Sequence, residues 1–308
     1  MRFWRWGVPI LIVVPFGGWI AWQSRPDPLP AGLHGSLVFV SDRDGVDALY
    51  TRDLASGAER RLTRLNEPVG EPVLSPNGRE IAFSMRGRIG IVGFGSTAVR
   101  IVTLGIDWQD SAPSWRPDGR ALVVSARRGG GLNADLHQLE LDPARGDAKR
   151  TPLTDTPGLD ETQPVFTPGG DAVVCVREHN LYRVELADAR SRRLTGGFKR
   201  VRSPRFLPSG RLLFLWTEQK LYGIDVIDAD GKARETLWQG RVYYRTVAPS
   251  PDGRFLVATF TFDLAFHPAQ ALKLRQTEEV RLLDARGHEL AALARAWRHS
   301  NHSPDWGG

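Results

Sequence analysis

Cysteine is almost absent from this chain of 308 residues, which contains a single one, Cys175. One cysteine cannot form a disulfide within the chain, so no disulfide framework holds the fold together. It also lies too far along the chain to carry an N-terminal lipid anchor. Because Cys175 stands in the apolar run at residues 172–176, we expect it to be a small buried hydrophobic side chain.

Recognisable catalytic motifs are also lacking. The chain has no Gly-x-Ser-x-Gly nucleophile turn, no glycine-rich phosphate loop and no evident Ser/His/Asp set. Residues 42–47 imitate the first half of a calcium loop but lack its later glutamate, so a hairpin turn built on Asp-Gly explains them better. We therefore assign no catalytic residue.

The histidines are few and scattered. They are His34, His137, His179, His267, His288, His299 and His302. Only His299 and His302 are close in sequence, and a separation of three places them on opposite faces of an extended strand. A metal site would need His137 and His179 to converge with them from distant parts of the chain. We expect neither a metal nor another cofactor.

Long apolar runs are missing after the first 22 residues, which follow different rules. Residues 6–22 carry no charge, and Arg2 and Arg5 precede them. Such a run is typical of a membrane segment or signal peptide, and the arginines would stay in the cytoplasm. Bulky residues stand where a signal peptidase needs small ones, so we expect residues 1–23 to be an uncleaved transmembrane anchor in a bacterial inner membrane. The alternative is a secreted protein after signal cleavage.

Residues 24–35 contain three prolines and predict a short, stiff tether between the bilayer and a domain in the periplasm. The net charge of +6 does not indicate a nucleic-acid partner, because three of the charges precede or adjoin the anchor and an exported domain does not meet DNA. The charge is compatible with an anionic partner.

What the chain has is a repeat. A Pro-containing tight turn followed by a β-branched and aromatic strand recurs about every 40 to 50 residues, a period typical of propellers and solenoids. Proline presets the first corner of such a turn, and Asn-Gly or Asp-Gly tolerates the rest. We count six copies, centred on Pro76, Pro117, Pro168, Pro208, Pro251 and Pro304.

Each repeat adds further strands with alternating polarity, so that one unit is a four-stranded antiparallel meander. Residues 36–63 supply three strands without a first one, and residues 297–305 supply a first strand with nothing after it. The two ends should complete one blade. The sequence therefore predicts an all-β fold at residues 36–308, a six-bladed propeller closed by a C-terminal strand, which removes exposed sheet edges.

The repeats resemble the TolB-like propeller family. The likeness rests on the turn Ser41-Asp42-Arg43-Asp44-Gly45, on Leu-Tyr strands, on Leu-Thr strand ends and on the run Pro113-Ser114-Trp115-Arg116-Pro117-Asp118-Gly119. It covers about residues 36–306 and implies a propeller, without the α/β domain that precedes it in TolB. Propellers of related repeats include metal-dependent lyases.

Aligning the copies by the turn proline predicts which residues surround the mouth of the central channel. Three arginines, two acidic residues and two aromatic residues fall just before the inner strands, so we expect a polarised funnel that binds an anionic group. The predicted ligand-binding residues are Arg202, Arg245, Arg298, Tyr244, Trp297, Asp110 and Glu161. Residues 261–277 form a long insertion predicted on the same face, either to bind a ligand or to cap the channel.

We expect a protein- or peptide-binding or scaffold module of the cell envelope, more a binding protein than an enzyme. An alternative is a carbohydrate lyase or lactonase at the channel mouth, with the arginines holding the carboxylates of an acidic sugar and a histidine or Tyr244 as base. A third possibility is a structural spacer.

Overall fold

The computed structural model describes residues 29–104, 106–142, 146–197, 199–261, 278–294 and 301–307. Within these ranges the chain forms six antiparallel sheets of four strands each. No helix in them is long and apolar enough to cross a membrane. The predicted anchor at residues 1–23, most of the predicted insertion at residues 261–277, and Trp297 and Arg298 lie outside the described residues.

The chain runs through the sheets in sequence order. The first sheet contains β1 (Ser36–Ser41), β2 (Ala48–Asp53) and β3 (Glu59–Arg61), and the second contains β4 (Gly70–Leu74), β5 (Glu80–Met85), β6 (Arg88–Gly93) and β7 (Val99–Ile101). The third contains β8 (Trp108–Trp115), β9 (Ala121–Arg128), β10 (Ala134–Leu141) and β11 (Ala148–Pro152). The fourth contains β12 (Glu161–Phe166), β13 (Ala172–Arg177), β14 (Asn180–Glu185) and β15 (Ser191–Arg193).

The last two sheets follow the same plan. The fifth contains β16 (Arg200–Phe206), β17 (Leu212–Glu218), β18 (Leu221–Ile227) and β19 (Arg234–Gly240). The sixth contains β20 (Tyr244–Pro249), β21 (Phe255–Thr261), β22 (Glu278–Asp284) and β23 (Glu289–Ala294), and the final strand is β24 (Asn301–Gly307). These sheets are the six predicted blades.

The repeated proline turns join the first and second strands of blades two to six. In each, the glycine amide donates to the carbonyl of the residue before the proline, as Gly78 does to Ser75 at 2.8 Å and Gly253 to Ser250 at 2.9 Å. Those glycines have positive φ, 67° for Gly78 and 70° for Gly253, which side-chain-bearing residues rarely adopt. The repeat that the sequence shows is therefore the hairpin turn of each of these blades.

The C-terminal strand closes the ring, as predicted. β24 pairs antiparallel with β1, so the first blade has the order β24-β1-β2-β3. β24 also contacts β20 and β4, the inner strands of the blades on either side. The six inner strands thus form a continuous ring, and β1 does not present an open edge to water.

The prediction of a sixth copy of the turn, at Ser303-Pro304-Asp305, is wrong. These residues lie inside β24 instead of in a hairpin turn. Pro304 matches a different proline of the repeat, the one four residues before each turn proline, which is Pro72, Pro113, Pro164 or Pro204 in blades two to five. The error arose because Ser303-Pro304-Asp305 has the sequence of a turn but lies within the inner strand and not after it.

The hydrophobic core lies between the blades. Six clusters of buried side chains each combine residues of two neighbouring blades, for example Leu37 and Phe39 of β1 with Val257 and Leu282 of the sixth blade. The middle strands have apolar side chains on both faces, and each face packs into a different cluster. Each blade is therefore stabilised by packing against both of its neighbours.

Candidate binding cavity

A cavity of about 300 Å³ lies in the central channel and is lined by all six inner strands. It is located toward the beginning of those strands, on what we call the mouth face of the ring; the opposite face, with the proline turns, is the turn face. Each inner strand of blades two to six contributes the residue five places before its turn proline, and β24 contributes the equivalent residue, which directly precedes Pro304. These are Glu71, Ala112, Gln163, Ser203, Thr246 and Ser303.

A bulge in each inner strand directs these residues inward. Five of them precede a proline and have φ between 49° and 52°, a left-handed conformation that is strained for residues other than glycine. Thr246 precedes valine instead. The strand pairing shifts register at the same place in β4, β8, β12, β16 and β20. Because the bulge adds one residue, two successive side chains can approach the channel.

Arg202 is the most firmly held cation of the cavity. Its guanidinium donates to Thr217 Oγ1 at 2.5 Å and to the Tyr244 carbonyl at 2.8 Å, and it lies 4.6 Å from the centre of the Tyr243 ring. Burial lowers its pKa from the ordinary arginine value, but the group remains a cation at neutral pH. Its Nε atom is buried and has no hydrogen-bond partner in the described part of the chain.

Arg205 lies deeper along the same strand. It donates from Nη1 to the Pro204 carbonyl at 3.1 Å, and its buried Nε likewise has no partner among the described residues. Asp305 of β24 lies close enough for the two charges to interact, and its Oδ2 accepts from the Leu74 amide at 2.7 Å. Burial raises the pKa of Asp305, and the charge of Arg205 opposes that rise.

Arg245 completes the cationic side of the cavity. It is half exposed and donates to Glu278 Oε1 at 2.8 Å. Burial is the largest influence and lowers the pKa of Arg245, but the hydrogen bond and the charge of Glu278, with Tyr243 and Glu71, together outweigh it and raise that pKa. Glu71 lies on β4, opposite β16 in the ring, and accepts from the Ala112 amide at 2.7 Å. The cavity is therefore polarised, with three arginines on two adjacent blades and one exposed carboxylate across the channel.

Two of the predicted ligand-binding residues, Arg202 and Arg245, line this cavity. Asp110 and Glu161 do not, because both are buried inside their own blades. Asp110 accepts from Arg150 at 2.6 Å, and Glu161 pairs with Arg177. They stand two positions before Ala112 and Gln163, and the bulge that follows them brings those later residues to the channel instead.

Tyr244 is also buried instead of lining the cavity. Its ring packs at 5.2 Å from Trp238 and 6.2 Å from Phe260, and burial raises its pKa to about 12. Its neighbour Tyr243 lines the cavity in its place. Because Pro304 is the proline of the bulge, the place in β24 that the alignment gave to Arg298 is occupied by His302. Nε2 of His302 lies 3.8 Å from Asp47 Oδ1.

Glu71, Arg205 and Tyr243 also line the cavity, although none of them was predicted from the sequence. The proline four residues before the turn could have revealed the first two, because it marks the bulge in the inner strand. Among the described residues no three His, Cys, Asp or Glu side chains converge as a metal site. His137 is buried against Trp108, with ring centres 4.4 Å apart, while His179 is exposed in a turn.

Comparison with known proteins agrees with this architecture, although no family model matches the chain. A TolB homologue of Chlorobium luteolum is 28% identical over 143 residues, which are 46% of this chain and 31% of that protein. The crystal structure of TolB from Acinetobacter baumannii superposes with a TM-score of 0.70 and 18% identity, covering 88% of this chain and 66% of that one.

An oligogalacturonate lyase in complex with manganese shares the fold as well. It has a TM-score of 0.59 and 14% identity, covering 83% of this chain and 73% of that one. At such identities these two structures show a common fold alone. Together with the sequence relative, the blade order and the closing strand, they show that the described residues form a six-bladed β-propeller that resembles the TolB-like propellers.

Proposed function

We propose that this chain is a binding module of the bacterial cell envelope, and that its central cavity receives an acidic group of a protein or peptide partner. The observation that carries the proposal is the convergence of Arg202, Arg205 and Arg245 in one cavity on the mouth face. The TolB-like fold supports a role in protein binding.

The arrangement of the arginines suits a carboxylate. Arg202 and Arg205 each keep a buried Nε–H without an acceptor in the described residues, and a carboxylate can accept from such a group and its neighbour together. Leaving buried donors unpaired costs free energy that a bound acceptor would recover. Tyr243, in contact with Arg202, offers an aromatic edge or face to the ligand.

We also propose that residues 1–23 anchor the propeller to the inner membrane, with the domain in the periplasm. Residues 29–35 support a defined orientation, because they reach β1 on the turn face. Gly32, Leu33 and His34 line a cavity of about 220 Å³ there, together with the turn at Ser250. In this arrangement the mouth face points away from the bilayer toward partners in the periplasm.

Photo-crosslinking tests the proposal. A photoreactive residue at Gln163, in the cavity, should give discrete crosslinks to an envelope protein in bacterial cells. Arg202→Ala with Arg205→Ala should reduce the yield at least about tenfold, because the partner's acidic group loses its charge-assisted hydrogen bonds. Arg190→Ala, which removes an exposed arginine from the turn face, is the matched control.

Thermal unfolding of each variant establishes that the propeller is intact. Equal crosslinking yields in a folded double variant would overturn the role of the arginines, and the absence of any discrete product would overturn the binding site itself.

The enzymatic alternative rests on two observations, which are the fold shared with an oligogalacturonate lyase and the cationic cavity. The arginines would then hold sugar carboxylates. Incubating the full chain with acidic oligosaccharides and divalent ions, and following new unsaturated ends by ultraviolet absorbance, tests this alternative. Turnover that Arg205→Ala abolishes would favour the enzyme over the binding module.

A further inference from the structure

Three aliphatic side chains protrude into water on the mouth face. Leu104 is 74% exposed, Ile106 is 78% exposed and Leu132 is 88% exposed. Leu104 and Ile106 belong to the connection from the second to the third blade, and Leu132 belongs to the loop between β9 and β10. We call these three residues the aliphatic patch. Single exposed leucines are ordinary, but neighbouring ones this exposed mark interaction surfaces.

One hydrogen bond joins the two loops, and a second one holds the turn that precedes Leu132. The Gly129 amide donates to the Asp107 carbonyl at 2.8 Å, and the Gly131 amide donates to the Arg128 carbonyl at 2.8 Å. A side chain at Gly129 would lie 3.5 Å from the Asp107 carbonyl oxygen and 3.8 Å from that of Ile106, so the backbones are in contact. Leu132 therefore extends from a bonded turn beside Ile106.

The patch and the cavity share one face and one strand. β8 begins two residues after Ile106 and reaches the cavity at Ala112, six residues after Ile106. Six extended residues span roughly 20 Å, which is within the reach of a single bound peptide of similar length. Arg128, exposed at the end of β9, adds positive charge beside the patch.

We infer that the aliphatic patch docks the apolar side chains of the same partner whose acidic group enters the cavity. The partner is then a protein segment in which apolar residues lie within about six residues of an Asp or Glu. This inference rests on the proposed function and specifies the partner's chemistry. Charge complementarity with Arg202, Arg205 and Arg245 favours an acidic segment.

The same charges argue against a second copy of this chain as the occupant. A symmetric dimer through the patch would bring two cationic mouth faces together, because a two-fold interface pairs each surface with itself. A bilayer is disfavoured by the connection of residues 29–35, which enters the propeller on the turn face.

The probe is a displayed library of random 12-residue peptides, selected on the full 308-residue chain in detergent micelles. The selected peptides should combine aliphatic or aromatic residues with Asp or Glu. Ile106→Ser and Leu132→Ser should each weaken a selected peptide about tenfold, because each removes a side chain buried in the complex. Leu290→Ser, at an exposed leucine of β23, should leave binding unchanged. Unchanged binding in both patch variants would overturn the inference.

A fluorescent label identifies the occupant. Ile106→Cys can be labelled selectively, because Cys175 is fully buried and burial raises the pKa of its thiol. A blue shift of an environment-sensitive dye on addition of the selected peptide supports the inference. A blue shift caused by anionic lipid vesicles alone, or by raising the protein concentration alone, would overturn it in favour of a lipid or a second copy.

The two proposals fail in different ways. Arginine-dependent crosslinks at Gln163 combined with normal peptide binding in Ile106→Ser and Leu132→Ser would leave the proposed function standing and remove the patch. Selected peptides that instead bind weakly to Ile106→Ser and Leu132→Ser but normally to the double variant Arg202→Ala, Arg205→Ala would be the opposite result. That result would support the patch and overturn the role of the arginines in the proposed function.

Discussion

Buried acidic side chains in this propeller pair with arginines of their own blade. Asp110 pairs with Arg150, Glu161 with Arg177 and Asp225 with Arg234. Arginine can satisfy such a carboxylate through several donors while its stem packs on a ring, as Arg177 does at 4.6 Å from Tyr182. Many arginines of this chain therefore have a structural role inside a blade. They differ in this respect from the arginines that line the cavity.

Glu161→Gln tests the buried pair in the fourth blade. Glu161 is fully buried, and Arg177 donates to it from both Nε and Nη2. Removing one partner leaves an uncompensated buried charge, so we expect a loss of about 3–5 kcal/mol in the free energy of unfolding, measured by urea denaturation. Lys232→Met, in an exposed pair with Asp230, should have no measurable effect. Equal effects of the two substitutions would contradict this account.

His137 should make stability depend on pH. Burial lowers its pKa from the ordinary value of 6.5, the nearby Arg150 lowers it further, and Asp110 and Asp135 oppose the shift. The unfolded chain therefore binds a proton first as the pH falls, and stability present above pH 6.5 is lost below it, by at most about 1.4 kcal/mol per pH unit.

The measurement is the free energy of unfolding of the wild type and of His137→Gln between pH 7.5 and 5. The variant should show a shallower dependence, because it lacks the titrating group. The same slope in both proteins would assign the pH dependence to other residues.

At the level of elements, the inner strands could be predicted only in part. The proline turns of blades two to six gave the correct hairpins, because Pro and Gly have fixed places in such turns. For the first blade the prediction of a turn at Pro304 was wrong, because this proline lies in the bulge of the inner strand and not in the turn. The bulge also decides which side chains line the channel, so counting residues back from the turn wrongly placed Asp110 and Glu161 at the channel mouth.

Gly223→Ala tests the packing of one strand pair. Gly223 of β18 lies opposite Trp216 of β17, and a Cβ there would approach the indole ring to 2.3 Å. Trp216 would have to move and would strain its 2.6 Å hydrogen bond to Asp225. We expect a loss of about 1–3 kcal/mol in the free energy of unfolding.

Gly93→Ala is the matched control, because its Cβ would lie 3.4 Å from the nearest atom, an ordinary contact. If both glycine variants lost the same free energy, strand propensity alone would explain the effect, and contact with Trp216 would not.

For the whole molecule, closure of the ring is the property that depends on both ends of the chain. Trp306 of β24 donates to the His34 carbonyl at 3.3 Å and stacks on Phe255 at 6.3 Å, while Asp305 binds the Leu74 amide. One strand thus connects the first blade to the second and the sixth. The sequence predicted this closure because its two ends carried complementary parts of one blade.

Deleting residues 297–308 should remove that connection. The first blade would lose its inner strand, and β1 would expose an edge and apolar side chains such as Leu37 and Phe39. We expect the melting temperature to fall by more than about 10 °C, since each lost kcal/mol lowers it by about 2–4 °C in a domain of this size. Thermal unfolding of the truncated chain at an unchanged temperature would contradict the closure by β24.

The cavity, in contrast, combines side chains from six blades and could not be predicted in full. Arg202 and Arg245 were found because they share a column of the repeat, whereas Arg205 occupies a column with no other cation. Tyr243 precedes its strand, and Glu71 is the one acidic residue in its column. Their convergence follows from ring geometry, which a single repeat does not encode.

We propose that this propeller binds its partner on the mouth face, which carries the cationic cavity. Photoreactive residues placed at Gln163 in the cavity and at Ser209 on the turn face, each in the full chain in cells, compare the two faces directly. The account predicts discrete protein crosslinks from Gln163 and none from Ser209. Crosslinks from Ser209 with none from Gln163 would contradict it and assign binding to the opposite face.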